Sequence, residues 1–458
     1  MAWLVTGNLT MNYFIWTSGC QMNVADSRRV ASALESLGHI HTPKVEQADV
    51  IVLNTCVVRQ SAEDRAHGYL MSIKPLKAKN PELVINLMGC MVGIRSHEHL
   101  KKTYPFVDVF SPPSDPGPLV AHLTQEDSRD LQLAETQKRF DLMDGTLPLP
   151  AHARDTLVSA FVPVVLGCSH ACTFCVIPYR RGAEHSRPVA EILAETRSLV
   201  RQGVKEITLL GQIVDRYGKD FTEGPNLAGL LQQIAEVEGL ERLRFLTSHP
   251  NWMTEELLQV VADTPKIMPH IEVPVQAGND DVLANMKREY TADDYRALVA
   301  KIRATIPNVS IGTDVIVGFP GETEDQFMDT YNLLEELRLD VAHLARYSPR
   351  PETVAARRME DDVPEEEKWR RYRMLEEQQA RIVGEINAGL LGETVEVLFE
   401  EKVKGRWKGR TPNTKLVFVE NERDLRGEVL PVQITWTGPW SMQGRLAPQG
   451  MGEAVRVG

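Results

Sequence analysis

The feature that most limits what this chain can fold into is the placement of its six cysteines. Three of them close apolar, β-rich runs. YFIWT leads into Gly19-Cys20, DVIVLNTC ends at Cys56, and ELVINLMGC ends at Cys90. Helical patterns separate these runs. Strands that alternate with helices pair in parallel through right-handed crossovers. Such a sheet collects the carboxyl ends of its strands on one edge, where ligands bind. The pattern therefore predicts that three thiols far apart in sequence share one sheet edge. The other three, Cys168, Cys172 and Cys175, crowd a single loop in GCSHACTFCVIPYRRG, and no cysteine is left over.

A second alternating stretch runs from about 158 to 350. Strands are expected at FVPVVLG (161–167), EITLLGQ (206–212), RLRFLTSH (242–249), HIEVPVQ (270–276), VSIGTDVIVGF (309–319) and VAHLARY (341–347), with helical patterns between them. Six such units fall short of the eight in a closed barrel. The expectation is a partial, open α/β barrel with its site at the carboxyl ends of the strands. Residues 364–390 read as one helix, with Pro364 in the first turn and acids gathered at the start. After it, TVEVLFEE, KLVFVE and EVLPVQITWT between glycine turns predict a small all-β barrel. Residues 126–157 are polar with clustered prolines and read as a linker.

Composition sets the compartment. The chain is 43% hydrophobic and 25% charged, which excludes a disordered or fibrous protein. No apolar run approaches the roughly 18 residues that a membrane span needs. Residues 1–16 lack a basic n-region and a cleavage site, so no secretory signal is expected and the chain reads as cytoplasmic. A reducing cytosol argues against structural disulfides, and the thiols need another purpose. The net charge of −12 argues against non-specific coating of nucleic acid but leaves room for a local basic patch.

Thiolates are soft ligands that select iron–sulfur clusters or zinc. A four-iron cluster normally takes four cysteines. Three in one loop leave one iron open to chelate a substrate. Zinc with His170 as fourth ligand is the alternative. Structural zinc sites usually pair two knuckles, whereas here a single CxxxCxxC loop encloses the histidine. For Cys20, Cys56 or Cys90 taken alone, the alternative is a small buried hydrophobe.

CxxxCxxC after the first strand of a partial barrel, with Phe174 before the last cysteine, resembles the radical S-adenosylmethionine enzymes. In that family the open iron binds the amino and carboxylate groups of S-adenosylmethionine. One electron then releases a 5′-deoxyadenosyl radical. GCQMN (19–23), NTCVVRQSAEDR (54–65) and GCMVG (89–93), followed by the radical loop and the β tail, are similar to the methylthiotransferases over nearly the whole chain. The resemblance implies an α/β chain with a Rossmann-like N-terminal domain (11–126), a linker (127–153), a partial (βα)6 radical barrel (154–386) and a small all-β TRAM barrel (389–452). It implies two 4Fe-4S clusters, one on Cys20, Cys56 and Cys90 and one on Cys168, Cys172 and Cys175, with S-adenosylmethionine on the second. Phe174, Gly211, Gln212, Gly318, Pro320 and Glu322 would line that cofactor. A plain turn is the other reading of Gly211 and of the Gly318–Pro320 segment. Arg180 and Arg181 would meet phosphate, carboxylate or solvent. Ser248, His249, His270, Gln276 and Asp314 are expected at strand ends facing the site, where a polar residue more often positions or caps than reacts.

The tail narrows the substrate. Lys402, Lys404, Arg406, Lys408, Arg410 and Lys415 cluster in KVKGRWKGRTPNTK, and Trp407 interleaves with them. Basic side chains track phosphates, and an aromatic can stack on an unpaired base. The segment resembles the RNA-binding TRAM domain, including its GRTPN turn. A solvated hairpin with Trp407 in the barrel core is the alternative. GCQMN, NTC-VVRQSAE and CVIPYRRG look most like the MiaB-type branch. That branch adds a methylthio group to C2 of N(6)-dimethylallyladenosine at tRNA position 37, beside the anticodon. Sister branches act on threonylcarbamoyladenosine or on a ribosomal-protein aspartate. Implied partners are the tRNA anticodon stem-loop and an electron donor such as flavodoxin or ferredoxin. A monomer with no membrane partner is expected. Two departures from the family pattern are Ala277, where a serine is usual, and the residues before Met11, which look like an extension.

Overall fold

A computed structural model of the chain describes residues 10–95, 97–125 and 149–448. The expected extension before Met11 lies outside these residues apart from Thr10. The expected linker lies outside them apart from 149–153, where Ala151–Ala153 form a short 3-10 turn. The described chain divides into two compact units. One contains the residues up to Arg154 together with Leu166–Ser169 and Val176–Gln202, and the other contains the rest.

The first unit is built on a parallel sheet of β1 (Asn12–Thr17), β2 (Ile40–His41), β3 (Val50–Thr55), β4 (Val84–Gly89) and β5 (Val109–Ser111), in the order β2-β1-β3-β4-β5. Strand β3 is buried along its whole length, as a strand covered on both faces must be. Its side chains alternate between two cores. Val50 and Val52 meet Val30, Ala31 and Leu34 of the helix Gln21–Ser36. Ile51 and Leu53 meet Ala66, Leu70 and Ile73 of the helix Gln60–Lys79.

The barrel opens with β6 (Ser159–Pro163). The two-residue strands β7 (Val165–Leu166) and β8 (His185–Ser186) flank the cysteine loop. Then follow β9 (Glu206–Leu210), β10 (Arg242–Leu246), β11 (His270–Glu272), β12 (Ser310–Val317) and β13 (Val341–Arg346). Strands β6, β9 and β10 pair in parallel, as do β11, β12 and β13. A bridge between Leu243 and Ile267 joins the two sets. This is the open six-stranded barrel read from the sequence. The strands stop earlier than expected, and the residues past their ends form buried loops on the carboxyl edge.

The helix Glu365–Ala388 begins at Pro364 as expected. It leads to a closed barrel of β14 (Thr394–Val403), β15 (Arg406–Arg410), β16 (Leu416–Val419), β17 (Val429–Thr437) and β18 (Met442–Leu446). Strands β15 and β18 escape the sequence reading because both are short and polar. Trp407 is 3% exposed and belongs to the barrel core with Val395, Val397 and Phe399. The expectation that it stacks on a base is therefore corrected: its ring is already packed.

The Thr411–Lys415 turn inserts under the amino ends of the radical-barrel strands. Arg244 donates to the carbonyls of Pro412 (2.6 Å) and Thr411 (3.0 Å) and to the Glu206 carboxylate (2.8 Å). Ser310 donates to the Asn413 carbonyl at 3.0 Å. Lys415 pairs with Asp340 at 2.7 Å. Removing one partner of a buried ion pair costs about 3–5 kcal/mol, because the other charge is left uncompensated. Arg244→Ala should lower stability by that amount in urea unfolding, with Lys402→Ala, on the exposed hairpin, nearly neutral.

Candidate active site

Strands β1, β3 and β4 are neighbours in the sheet, so their carboxyl ends bring Cys20, Cys56 and Cys90 together. Cys20 stands at the N-cap of the helix Gln21–Ser36, Cys56 follows β3 directly, and Cys90 follows β4 directly. Two glycines allow this crowding. Gly19 has φ +125°, and a Cβ there would lie 2.6 Å from the Cys56 Cβ. Gly89 has φ +96°, and a Cβ there would lie 2.5 Å from the Thr55 carbonyl. Asn23 ties two of the ends by donating to the Ser18 carbonyl (2.8 Å) and the Thr55 carbonyl (3.1 Å). The Cys90 amide donates to the same Thr55 carbonyl at 3.0 Å.

The two buried thiols of the trio, Cys56 and Cys90, resist ionisation. Burial, then the nearby Cys90 and Cys20, push the Cys56 thiol up to about 11. Burial raises Cys90 as well, against the opposing pull of Arg181. Arg181 hydrogen-bonds Cys90 and is buried. It also donates to Asn23 Oδ1 (2.8 Å), Asp26 Oδ2 (3.2 Å) and Ser114 Oγ (3.2 Å). Of the readings for Arg181, the carboxylate one holds. Three converging thiols, two of them buried and pushed up by burial, are a donor set suited to a cationic centre, which deprotonates its ligands outright.

The second trio is held by its loop. Gly167 has φ +69°, and a Cβ there would lie 2.2 Å from the Ala183 carbonyl. The Cys168 amide donates to the Gly182 carbonyl at 3.0 Å. Cys172 and Cys175 close one turn, with the Cys175 amide donating to the Cys172 carbonyl at 3.2 Å. The thiol of Cys172 accepts from Arg288 Nη1 at 3.3 Å. His170, the candidate zinc ligand, has its ring edge-on to His249 at 4.6 Å. Among the described residues, no set containing His170 and cysteines has its ligand atoms within 4.8 Å of one another, the span a single zinc requires. A four-iron cube holds its cysteines further apart.

Phe174 meets Phe319 edge-on at 6.4 Å, and Phe319 meets Tyr347 at 5.3 Å, which makes an aromatic wall. A Cβ at Gly211 would lie 2.8 Å from Val214 Cα, so its own turn already requires glycine there. Gln212 is half-buried beside it. Gly318 has φ +69°, and its amide donates to Glu322 at 2.6 Å. Glu322 in turn pairs with Arg371 at 2.9 Å. Pro320 is buried between them. His270, expected to face the site, instead opens β11 at its amino end, hydrogen-bonded to Ser310 at 2.7 Å. Asp314 groups with Glu272 and His343, two residues that the sequence pattern does not single out. His343 Nε2 lies 3.2 Å from Glu272 Oε1. Arg288 escapes it too, because nothing in MKREY distinguishes it from a surface residue. On the tail, Lys402 and Lys404 are exposed, and Arg406, Lys408 and Arg410 are half-buried. Lys415 is not with them: it is the ion-pair partner of Asp340.

Residues 12–111 match an uncharacterized protein family, UPF0004; residues 162–334 match the radical SAM superfamily; residues 390–447 match the TRAM domain. Curated relatives called tRNA-2-methylthio-N(6)-dimethylallyladenosine synthase match nearly end to end. That of Roseiflexus sp. (strain RS-1) is 48% identical over 95% of this chain and 89% of its own. That of Chloroflexus aurantiacus is 46% identical over 94% and 91%. The chain belongs to this synthase family. Among solved structures, the radical S-adenosylmethionine methyltransferase TsrM from Kitasatospora setae shares the fold. Its TM-score is 0.52 at 14% identity, covering 76% of this chain and 74% of that one. One cysteine trio of this synthase-family chain falls in the UPF0004 segment and the other in the radical SAM segment.

Gly19→Ala tests the crowding at the first trio. The left-handed backbone and the clash with Cys56 together cost about 1–3 kcal/mol. After anaerobic reconstitution, iron counting should show about half of the wild-type iron, with the other half unaffected.

Proposed function

We propose that this chain adds a methylthio group to C2 of N(6)-dimethylallyladenosine beside the anticodon of tRNA. The observation that carries the reading is the convergence of Cys20, Cys56 and Cys90 on one sheet edge, in a chain that matches the synthases over 95% of its length. Those three thiols hold one 4Fe-4S cluster, and Cys168, Cys172 and Cys175 hold the other. Each cluster keeps one iron without a cysteine. When bound, the clusters and S-adenosylmethionine would supply the one-electron chemistry and the methyl group. An aromatic C–H has no acidic proton for a base to take, so acid–base catalysis alone would not suffice.

The protein's own groups bind and orient. Phe174 and Phe319 offer an apolar wall for the cofactor's adenosine. The Glu322 carboxylate is committed to the Gly318 amide and to Arg371, so the 318–320 segment meets the cofactor through its backbone while Glu322 fixes the loop. Gly211 and Gln212 border the methionine end. Lys402, Lys404, Arg406, Lys408 and Arg410 hold phosphates of the anticodon stem-loop, and Lys415 anchors the domain that carries them. A single-stranded loop lets its base splay out and enter a pocket. Among the described residues no helix is long and apolar enough to cross a membrane. A cytoplasmic monomer reduced by flavodoxin or ferredoxin completes the reading.

Mass spectrometry of tRNA from a strain lacking the gene should show dimethylallyladenosine without its methylthio group. Unchanged methylthio-adenosine would refute the assignment. For the tail, the triple variant Lys402→Glu, Lys404→Glu, Arg406→Glu should keep full iron content and weaken tRNA binding. The slope of log affinity against log salt should fall by about 0.7 for each single-strand phosphate that the variant no longer neutralises.

A further inference from the structure

We infer that Arg288 is a positioning and tuning residue that raises the reduction potential of the cluster on Cys168, Cys172 and Cys175. The inference rests on the reading that Cys172 is a ligand of that cluster. Arg288 is 5% exposed. Its three donor directions are all assigned. Nη1 meets Cys172 Sγ at 3.3 Å, Nη2 meets the Pro274 carbonyl at 3.1 Å, and Nε meets the Tyr290 hydroxyl at 2.9 Å. Tyr290 is fixed in turn by the Val275 carbonyl at 2.7 Å. The guanidinium cannot pivot away from the sulfur without breaking this network.

The backbone is bent to present it. Lys287 has φ +58° and Glu289 has φ +60°, so non-glycine residues on both sides of Arg288 occupy the left-handed region. The same turn is clamped to the cysteine turn. The Thr173 amide donates to the Met286 carbonyl at 3.1 Å, and its hydroxyl donates to the Asn285 carbonyl at 2.8 Å. The arginine and Cys172 therefore move as one piece.

Charge decides what the arginine does there. Among the described residues no carboxylate pairs with Arg288, whose neighbours are a phenol, a carbonyl and a thiol. A guanidinium stays protonated at every working pH, and a buried cation without an anion is costly. Three thiolates on a four-iron cluster supply that anion. The contrast with Arg181 is direct, because Arg181 shares its charge with Asp26. When one electron passes from a low-potential donor to the cluster, no bond is made or broken and one negative charge is added beside Arg288. A donor hydrogen bond and a fixed positive charge both favour that reduced state.

The test uses full-length, anaerobically reconstituted protein: wild type, Arg288→Gln, Arg288→Lys and Cys172→Ala. The readouts are iron content and an electron paramagnetic resonance titration of the signal that responds to S-adenosylmethionine. Arg288→Gln should keep the full iron content. At a fixed potential its ratio of reduced to oxidised cluster should fall about tenfold, a shift of about 59 mV for one electron. Formation of 5′-deoxyadenosine should fall with a weak donor and recover with a stronger reductant. Arg288→Lys, which keeps the charge without the fork, should lie between. An unchanged midpoint in a fully loaded Arg288→Gln overturns the inference. So does loss of the responsive cluster from both arginine variants, which would make Arg288 a scaffold. If Cys172→Ala keeps all its iron, the ligand assignment fails instead.

Discussion

Buried thiols in proximity oppose one another's ionisation, and the N-terminal unit is organised around that conflict. Its parallel sheet forces three cysteines onto one edge. Glycines remove the Cβ atoms that would keep them apart, and Asn23 stitches two strand ends together. The result is unfavourable for thiolates at the buried Cys56 and Cys90, and a cationic centre of the kind proposed for this edge would offset it. The sheet order, the two left-handed glycines and the buried Arg181–Asp26 pair all follow from holding this arrangement.

Much of this is legible in the sequence, for identifiable reasons. VIVLNT is apolar through most of its length because helices cover both faces of β3, and that makes its end, and so Cys56, easy to place. The loop cysteines are readable because their spacing is itself the chemical signal. What cannot be read depends on partners. Arg181 and Arg288 look like any loop arginine until the carboxylate or thiol beside them is known. Lys415 counts as one more basic residue until its pairing with Asp340 emerges. In RWKGR the charges disguise a strand whose alternate residues, Trp407 and Gly409, face the core. Strand ends are read too late because the loops beyond them are buried, and burial selects the same apolar residues as a strand does.

The two trios also differ in how their neighbouring arginines are balanced. Arg181 sits in a network with Asn23, Asp26 and Ser114, and its charge is largely answered by protein. Arg288 is held by neutral groups. A balanced cation mainly fixes the geometry of what it touches, whereas an unbalanced one also biases the electron count. One fold thus provides two thiol sites of similar composition with different electrical surroundings.

The wedge made by Thr411–Lys415 has an evolutionary corollary. Arg244 and Ser310 grip that turn through its main-chain carbonyls. Side-chain drift within it would leave those grips in place, but an insertion or deletion would pull them out of register. In the proposed RNA reading, variation that retunes nucleic-acid recognition falls on the outward hairpin around Lys402–Lys408. The length of the turn beneath the barrel is then inherited unchanged.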